Sequence, residues 1–140
     1  MTLQKLVVSC IDSDLVTPMV GVTLAADLRY ISKDAKFIFP HVKFGVHPGG
    51  ALPFFLQKYI GLGRSMEILM RGNDIEAEQA LKLGLVTDVY EKEGFKDKCI
   101  EDINKICNDN AISIAKTKRI MSILVDDLKN YFDSESRLLM

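Results

Sequence analysis

Between Thr17-Pro18 and Tyr30 the chain carries Val20-Gly21-Val22-Thr23-Leu24-Ala25-Ala26, a stretch that is apolar nearly all round a helix. A helix with no polar face has to be buried. Thr17 is a good N-cap and Pro18 suits the first helical position, so a helix is expected over Met19 to Tyr30. Gly21 inside it costs about 1 kcal/mol relative to Ala, which points to close packing or to the close approach of a ligand. Two short strand-like runs flank this segment. Leu6 to Ile11 ends at the polar turn Asp12-Ser13-Asp14, and Lys36-Phe37-Ile38-Phe39 is stopped by Pro40. Strand, buried helix, strand predicts a crossover and a parallel pair, hence an α/β chain.

The loop from His41 to Gly50 follows the second strand and holds both histidines, with the run His47-Pro48-Gly49-Gly50. Loops at the carboxyl ends of strands are where α/β proteins bind ligands. From Pro53 the pattern turns helical and is punctuated by Gly61-Leu62-Gly63. Ser65 to Met70 is expected as a short helix and Ile75 to Leu83 as another. Gly84 sits where a left-handed cap belongs, and Leu85 to Val89 reads as a strand. Two amphipathic helices close the chain, with stripes at Cys99, Ile100, Ile103, Ile106, Cys107 and at Met121, Leu124, Val125, Leu128, Phe132. These stripes are expected to pack on the core or on another subunit.

The charge balance excludes several classes. Eighteen Lys+Arg against nineteen Asp+Glu leave a net charge of −1, without the basic excess of a nucleic-acid binder. Cys10, Cys99 and Cys107 are too scattered for a disulfide framework or a zinc site, which suits a reduced, cytoplasmic protein. The longest apolar stretch, Leu15 to Ala26, is broken by Thr17, Pro18, Gly21 and Thr23, and is too short to span a membrane. The apolar run before Cys10 is likewise too short for a lipoprotein signal and is expected as a buried strand.

Phosphate-loop, dinucleotide, zinc-protease and nucleophile-elbow motifs are all absent. His41 and His47 would need ligands from elsewhere to hold a metal, and none is expected. Loop histidines commonly face solvent. Asp12 and Asp14 could act as bases, but aspartates after a strand more often satisfy turn backbone.

Longer strings carry more. Ser65 to Val89 (SMEILMRGNDIEAEQALKLGLVTDV), Leu24 to Arg29 (LAADLR), Ala35 to Gly49 with Pro40, Phe44-Gly45 and Pro48-Gly49, and Ile112 to Lys118 (ISIAKTK) resemble the C-terminal half of the crotonase superfamily, the enoyl-CoA hydratases and isomerases. The resemblance implies a partial ββα spiral core over residues 1–90 and a helical oligomerisation region over 91–140. It implies an acyl-CoA thioester as substrate or ligand, with coenzyme A entering as part of the substrate and no covalently bound cofactor. It also implies a trimer or hexamer, or a companion chain supplying the N-terminal half.

The departures bear on activity. The family opens its buried helix with a glycine triplet whose backbone N–H helps hold an enolate oxygen. Here the triplet positions are Thr17, Pro18 and Met19, and the donating position falls on Pro18, which has no N–H. The family's two catalytic glutamates fall at Gly21 and His41. His41 is therefore the expected acid/base group, with Asp14 in reserve. His47, Gly49 and Gly50 form the ligand loop, and Lys118 is placed to contact coenzyme A unless it is simply an exposed helix lysine. One base without its partner suits isomerisation better than hydration. A non-catalytic subunit or fragment with an assembly role is the alternative.

Overall fold

The computed structural model describes residues 5–121 and 125–138. Its elements are β1 (Val8–Ile11), β2 (Leu15–Val16), α1 (Met19–Leu24), β3 (Leu28–Ser32), β4 (Lys36–Ile38), α2 (His41–Phe44), α3 (Leu52–Ile60), α4 (Leu62–Arg71), β5 (Ile75–Glu76), α5 (Ala77–Lys82), β6 (Asp88–Tyr90), α6 (Phe95–Met121) and α7 (Val125–Leu138).

Two small sheets alternate along the chain. One has the order β1-β3-β6, all parallel. The other has the order β2-β4-β5, with β2 and β4 parallel and β4 and β5 antiparallel. The expected parallel pair between the first run and Lys36 to Phe39 is therefore corrected. β1 pairs with β3, Val8 opposite Leu28, while β2 pairs with β4, Leu15 opposite Phe37. β1 and β3 of one sheet are each followed by a strand of the other, β2 and β4, before a helix turns back, which makes a ββα spiral.

The helix expected to reach Tyr30 ends at Leu24. Asp27 and Leu28 already give their N–H groups to the Val7 carbonyl, and Tyr30 lies in β3 with 3% exposure. An apolar run fits a buried helix and a buried strand equally well, and here sheet pairing took the last third of it. Similarly, the helix expected over Ile75 to Leu83 begins as a strand, because Ile75 pairs with Phe37. Gly84 does take the left-handed conformation, with φ 72°, and delivers Leu85 to full burial.

Val20, Leu24, Ile31, Phe37, Phe39, Leu52, Leu56 and Leu85 form the main core between the two sheets and α1, α3 and α5. A smaller cluster joins Tyr30, Phe95 and Cys99 under α6. The C-terminal stripes pack on the core only in part. Cys99 is buried, but Ile100, Met121 and Phe132 are 46%, 74% and 46% exposed, and Leu124 lies outside the described residues.

All three cysteines are free thiols. Burial, reinforced by a hydrogen bond with Cys10, pushes the Cys99 thiol up to about 12. A thiol held protonated is a poor nucleophile. A disulfide-exchange reagent at pH 8 is thus expected to label exposed Cys10 and Cys107 in the native protein and Cys99 only after unfolding. Labelling of Cys99 at the rate of the other two would show that α6 does not stay seated on β1 and β3.

Candidate functional site

Thr17 fixes the wall of a cavity rather than capping α1. Its N–H and its Oγ1 both donate to the Ile38 carbonyl, at 3.1 and 3.2 Å, so the expected N-cap contact is replaced by a tie to the end of β4. Pro18 becomes the cap residue, without a side-chain capping bond. Its carbonyl accepts from the Val22 N–H at 3.3 Å.

The glycine loop presses against this turn. A Cβ on Gly50 would lie 2.3 Å from the Pro18 carbonyl oxygen, and one on Gly21 would lie 2.2 Å from the Gly50 carbonyl oxygen. Gly21 is therefore a packing glycine. It lets the backbone before α3 lie directly on α1.

Thr17, Pro18, Pro40, His41, Phe44, Val46, His47, Gly49 and Gly50 line a cavity of about 570 Å³. Five of these residues, together with Pro18 itself, are positions singled out from sequence: Thr17, His41, His47, Gly49 and Gly50. The rest are apolar walls.

Both histidines turn inward, against the expectation that loop histidines face water. Pro40 ends β4 and starts the short helix α2, which aims His41 at the core. His41 is 5% exposed, and its Nε2 lies 2.9 Å from the Leu69 carbonyl oxygen. A carbonyl only accepts, so Nε2 carries the proton toward Leu69. The Nδ1 of His41 is buried without a hydrogen-bond partner, and so is Nε2 of the half-buried His47.

The remaining candidates lie elsewhere. Asp14 is exposed, and its Oδ1 accepts from the Lys36 N–H at 3.1 Å, so it satisfies turn backbone outside the cavity. Met19 is 50% exposed and does not line it. Lys118 is not an exposed helix lysine. Its side chain is 11% exposed and its Nζ lies 2.5 Å from Asp27 Oδ2 and 2.7 Å from the Lys5 carbonyl oxygen. It borders a second cavity of about 460 Å³ with Leu24, Phe55, Tyr59 and Met121. No group of three His, Cys, Asp or Glu side chains among the described residues is placed to hold a metal ion.

One cavity residue escaped the sequence reading. Glu135 of α7 joins the lining and is 9% exposed. The signal was present: Leu128, Phe132 and Glu135 share one helical spacing, which puts a carboxylate on an apolar stripe.

Two interleaved sheets wound as a ββα spiral, with a cavity where the first helix, the histidine loop and the last helix meet, define a crotonase-like α/β protein. The profile of the family described as "Enoyl-CoA hydratase/isomerase" matches residues 1–140, and the chain belongs to that family. Among relatives, the "Short-chain-enoyl-CoA hydratase" of Clostridioides difficile is 31% identical over 117 residues, 82% of this chain and 75% of that protein. The protein of the same name from Clostridium acetobutylicum is 25% identical over 120 residues, 86% of this chain and 46% of that protein. A crystal structure of enoyl-CoA hydratase from Bacillus halodurans superposes with a TM-score of 0.90 at 26% identity, over 99% of this chain and 56% of that one. The chain thus spans about half the length of the first curated relatives it matches, 46% and 47%.

Proposed function

We propose that this chain binds an acyl-CoA thioester and, where it turns one over, moves a proton through an enolate rather than adding water. The carrying observation is the composition of the cavity. Its walls include Thr17, Pro18, His41, His47, Gly49 and Gly50, which the resemblance assigns to the site, yet Gly21 is sealed against Gly50 and position 41 is an imidazole. Hydration needs one group to activate water and a second to protonate carbon. Isomerisation needs a single group that takes a proton from one carbon and returns it to another. His41, which the resemblance puts at the family's second glutamate position, is the group singled out from sequence, and among the described residues the cavity holds one carboxylate, Glu135, rather than a pair.

The absence of an N–H at Pro18 favours the second reading, a crotonase-like subunit kept for assembly. The exposed stripes of α6 and α7 suit assembly into a trimer or hexamer, and free thiols suit the cytoplasm.

The test is an assay of both reactions on the purified protein, with native mass spectrometry of the same sample. Crotonyl-CoA hydration is expected to stay at the buffer rate while a β,γ-enoyl-CoA is isomerised. Hydration at enzyme-like rates would overturn the proposal. Binding of acyl-CoA without turnover of either substrate would establish the subunit reading.

A further inference from the structure

Helix α7 delivers a carboxylate to the cavity under close control. Glu135 is nearly buried, while its neighbours Ser134 and Ser136 are exposed. Its Oε1 accepts from the Ala51 N–H at 3.3 Å and from the Tyr131 hydroxyl at 3.2 Å. Tyr131 is held against the Phe54 ring, with centroids 5.4 Å apart. Burial first, and then the nearby Glu135 charge, raise the Tyr131 pKa, so the phenol stays a donor. Two donors on one oxygen fix the carboxylate, and no described residue hydrogen-bonds Oε2. Among the described residues lining the cavity, no other carries a carboxylate.

The histidines are less accessible. His41 spends Nε2 on Leu69, and its Nδ1 is sealed from solvent, as is Nε2 of His47. A general base has to come within about 2.6–3.2 Å of the proton it removes, directly or through one water. In this geometry Glu135 offers the cavity an open carboxylate oxygen.

The geometry points to Glu135 as the proton-carrying carboxylate of this site, brought in from the C-terminal helix. This rests on the acyl-thioester reading and deepens it. The Cα–H bond next to the thioester breaks, and its proton forms an O–H bond with Oε2. The freed electron pair becomes the enolate double bond, and the carbonyl π pair moves onto the thioester oxygen. When the carboxyl O–H trades its proton with solvent D2O before the enolate is reprotonated, return of a deuteron to the same carbon is exchange. On a β,γ-unsaturated chain, return to the γ-carbon shifts the double bond. One carboxylate takes and gives the proton, and neither water nor an oxidant is consumed.

The simpler role for Glu135 is to dock α7 on the start of α3, and Glu135→Gln separates the two. The amide oxygen still accepts from Ala51 and Tyr131 but is no base. The probe is butyryl-CoA in D2O with the purified protein and any chain that copurifies. Deuterium at the α-carbon is read by mass spectrometry, and affinity by calorimetry. Wild type is expected to exchange, and E135Q to slow exchange about 100-fold or more with affinity unchanged. Wild-type exchange in E135Q, or binding without exchange by the wild type, overturns the proposal. So does a loss of exchange confined to His41→Gln. If E135Q also loses affinity, Glu135→Asp decides: binding with slowed exchange supports the role, and binding without exchange overturns it. Failure of the wild type to bind butyryl-CoA overturns the acyl-thioester reading, and the role of Glu135 falls with it.

Discussion

The substitution Gly21→Glu, which adds a carboxylate where the resemblance to the hydratases calls for one, is expected to damage the fold and bring no hydration. Even the first carbon of the new side chain would lie 2.2 Å from the Gly50 carbonyl oxygen and 2.8 Å from the Leu52 nitrogen. Both contacts are backbone, so no rotamer change relieves them. Gly50 cannot retreat, because its own Cα faces the Pro18 carbonyl and its φ of 72° already occupies the left-handed region. Forced overpacking of this kind costs about 3 kcal/mol or more. For a chain of this size that lowers the melting temperature by roughly 10 °C. Gly21→Ala should show most of the loss, since the clash is made at Cβ. Thermal unfolding of the two variants checks this. A Gly21→Glu protein that melts like the wild type would mean that α1 and the glycine loop are further apart than described. A hydratase restored by that single change would overturn the steric argument and the functional one together.

The same contact shows what was legible in the sequence. A glycine in an otherwise apolar helix pointed to close approach, but only the fold showed that the approaching group is the Gly50 backbone. The strings around Leu24 to Arg29 and Ser65 to Val89 carried the family, and with it the ββα spiral. Element boundaries were harder. Leu28 to Tyr30 is apolar enough to continue α1, yet its backbone N–H groups are claimed by Val7 and by the Thr87 hydroxyl at the sheet edge. Such competition is tertiary and leaves no local trace. His41 was legible by its place after Pro40, while its burial depended on the Leu69 carbonyl, 28 positions away. Glu135 was the least legible, because it enters the cavity from the far end of the chain to meet Ala51, 84 positions earlier.

Replacing Arg29 by Met is expected to be the second severe change, and it separates architecture from chemistry. Arg29 is 6% exposed and has no carboxylate partner among the described residues. Its Nε donates to the Leu85 carbonyl and its Nη1 to the Ala26 carbonyl, each at 2.6 Å. The guanidinium also lies over the Tyr59 ring, 4.6 Å from its centroid, and Tyr59 in turn donates to the Leu24 carbonyl at 3.1 Å. One side chain thus ties the end of α1, the approach to β6 and the face of α3. A planar fork is needed to reach two carbonyls while stacking on a ring, which Lys cannot do. Met fills similar volume but leaves two buried carbonyls without donors, at about 1–3 kcal/mol for each. The expected loss is about 3 kcal/mol, or roughly 10 °C in melting temperature. Arg29→Lys should recover part of it, and Tyr59→Phe should cost only about 1 kcal/mol. Because Arg29 does not line the Pro18–His41–Glu135 cavity, acyl-CoA affinity measured well below the new melting temperature should survive in Arg29→Met. A variant that keeps its melting point but loses affinity would move Arg29 from the frame into the site.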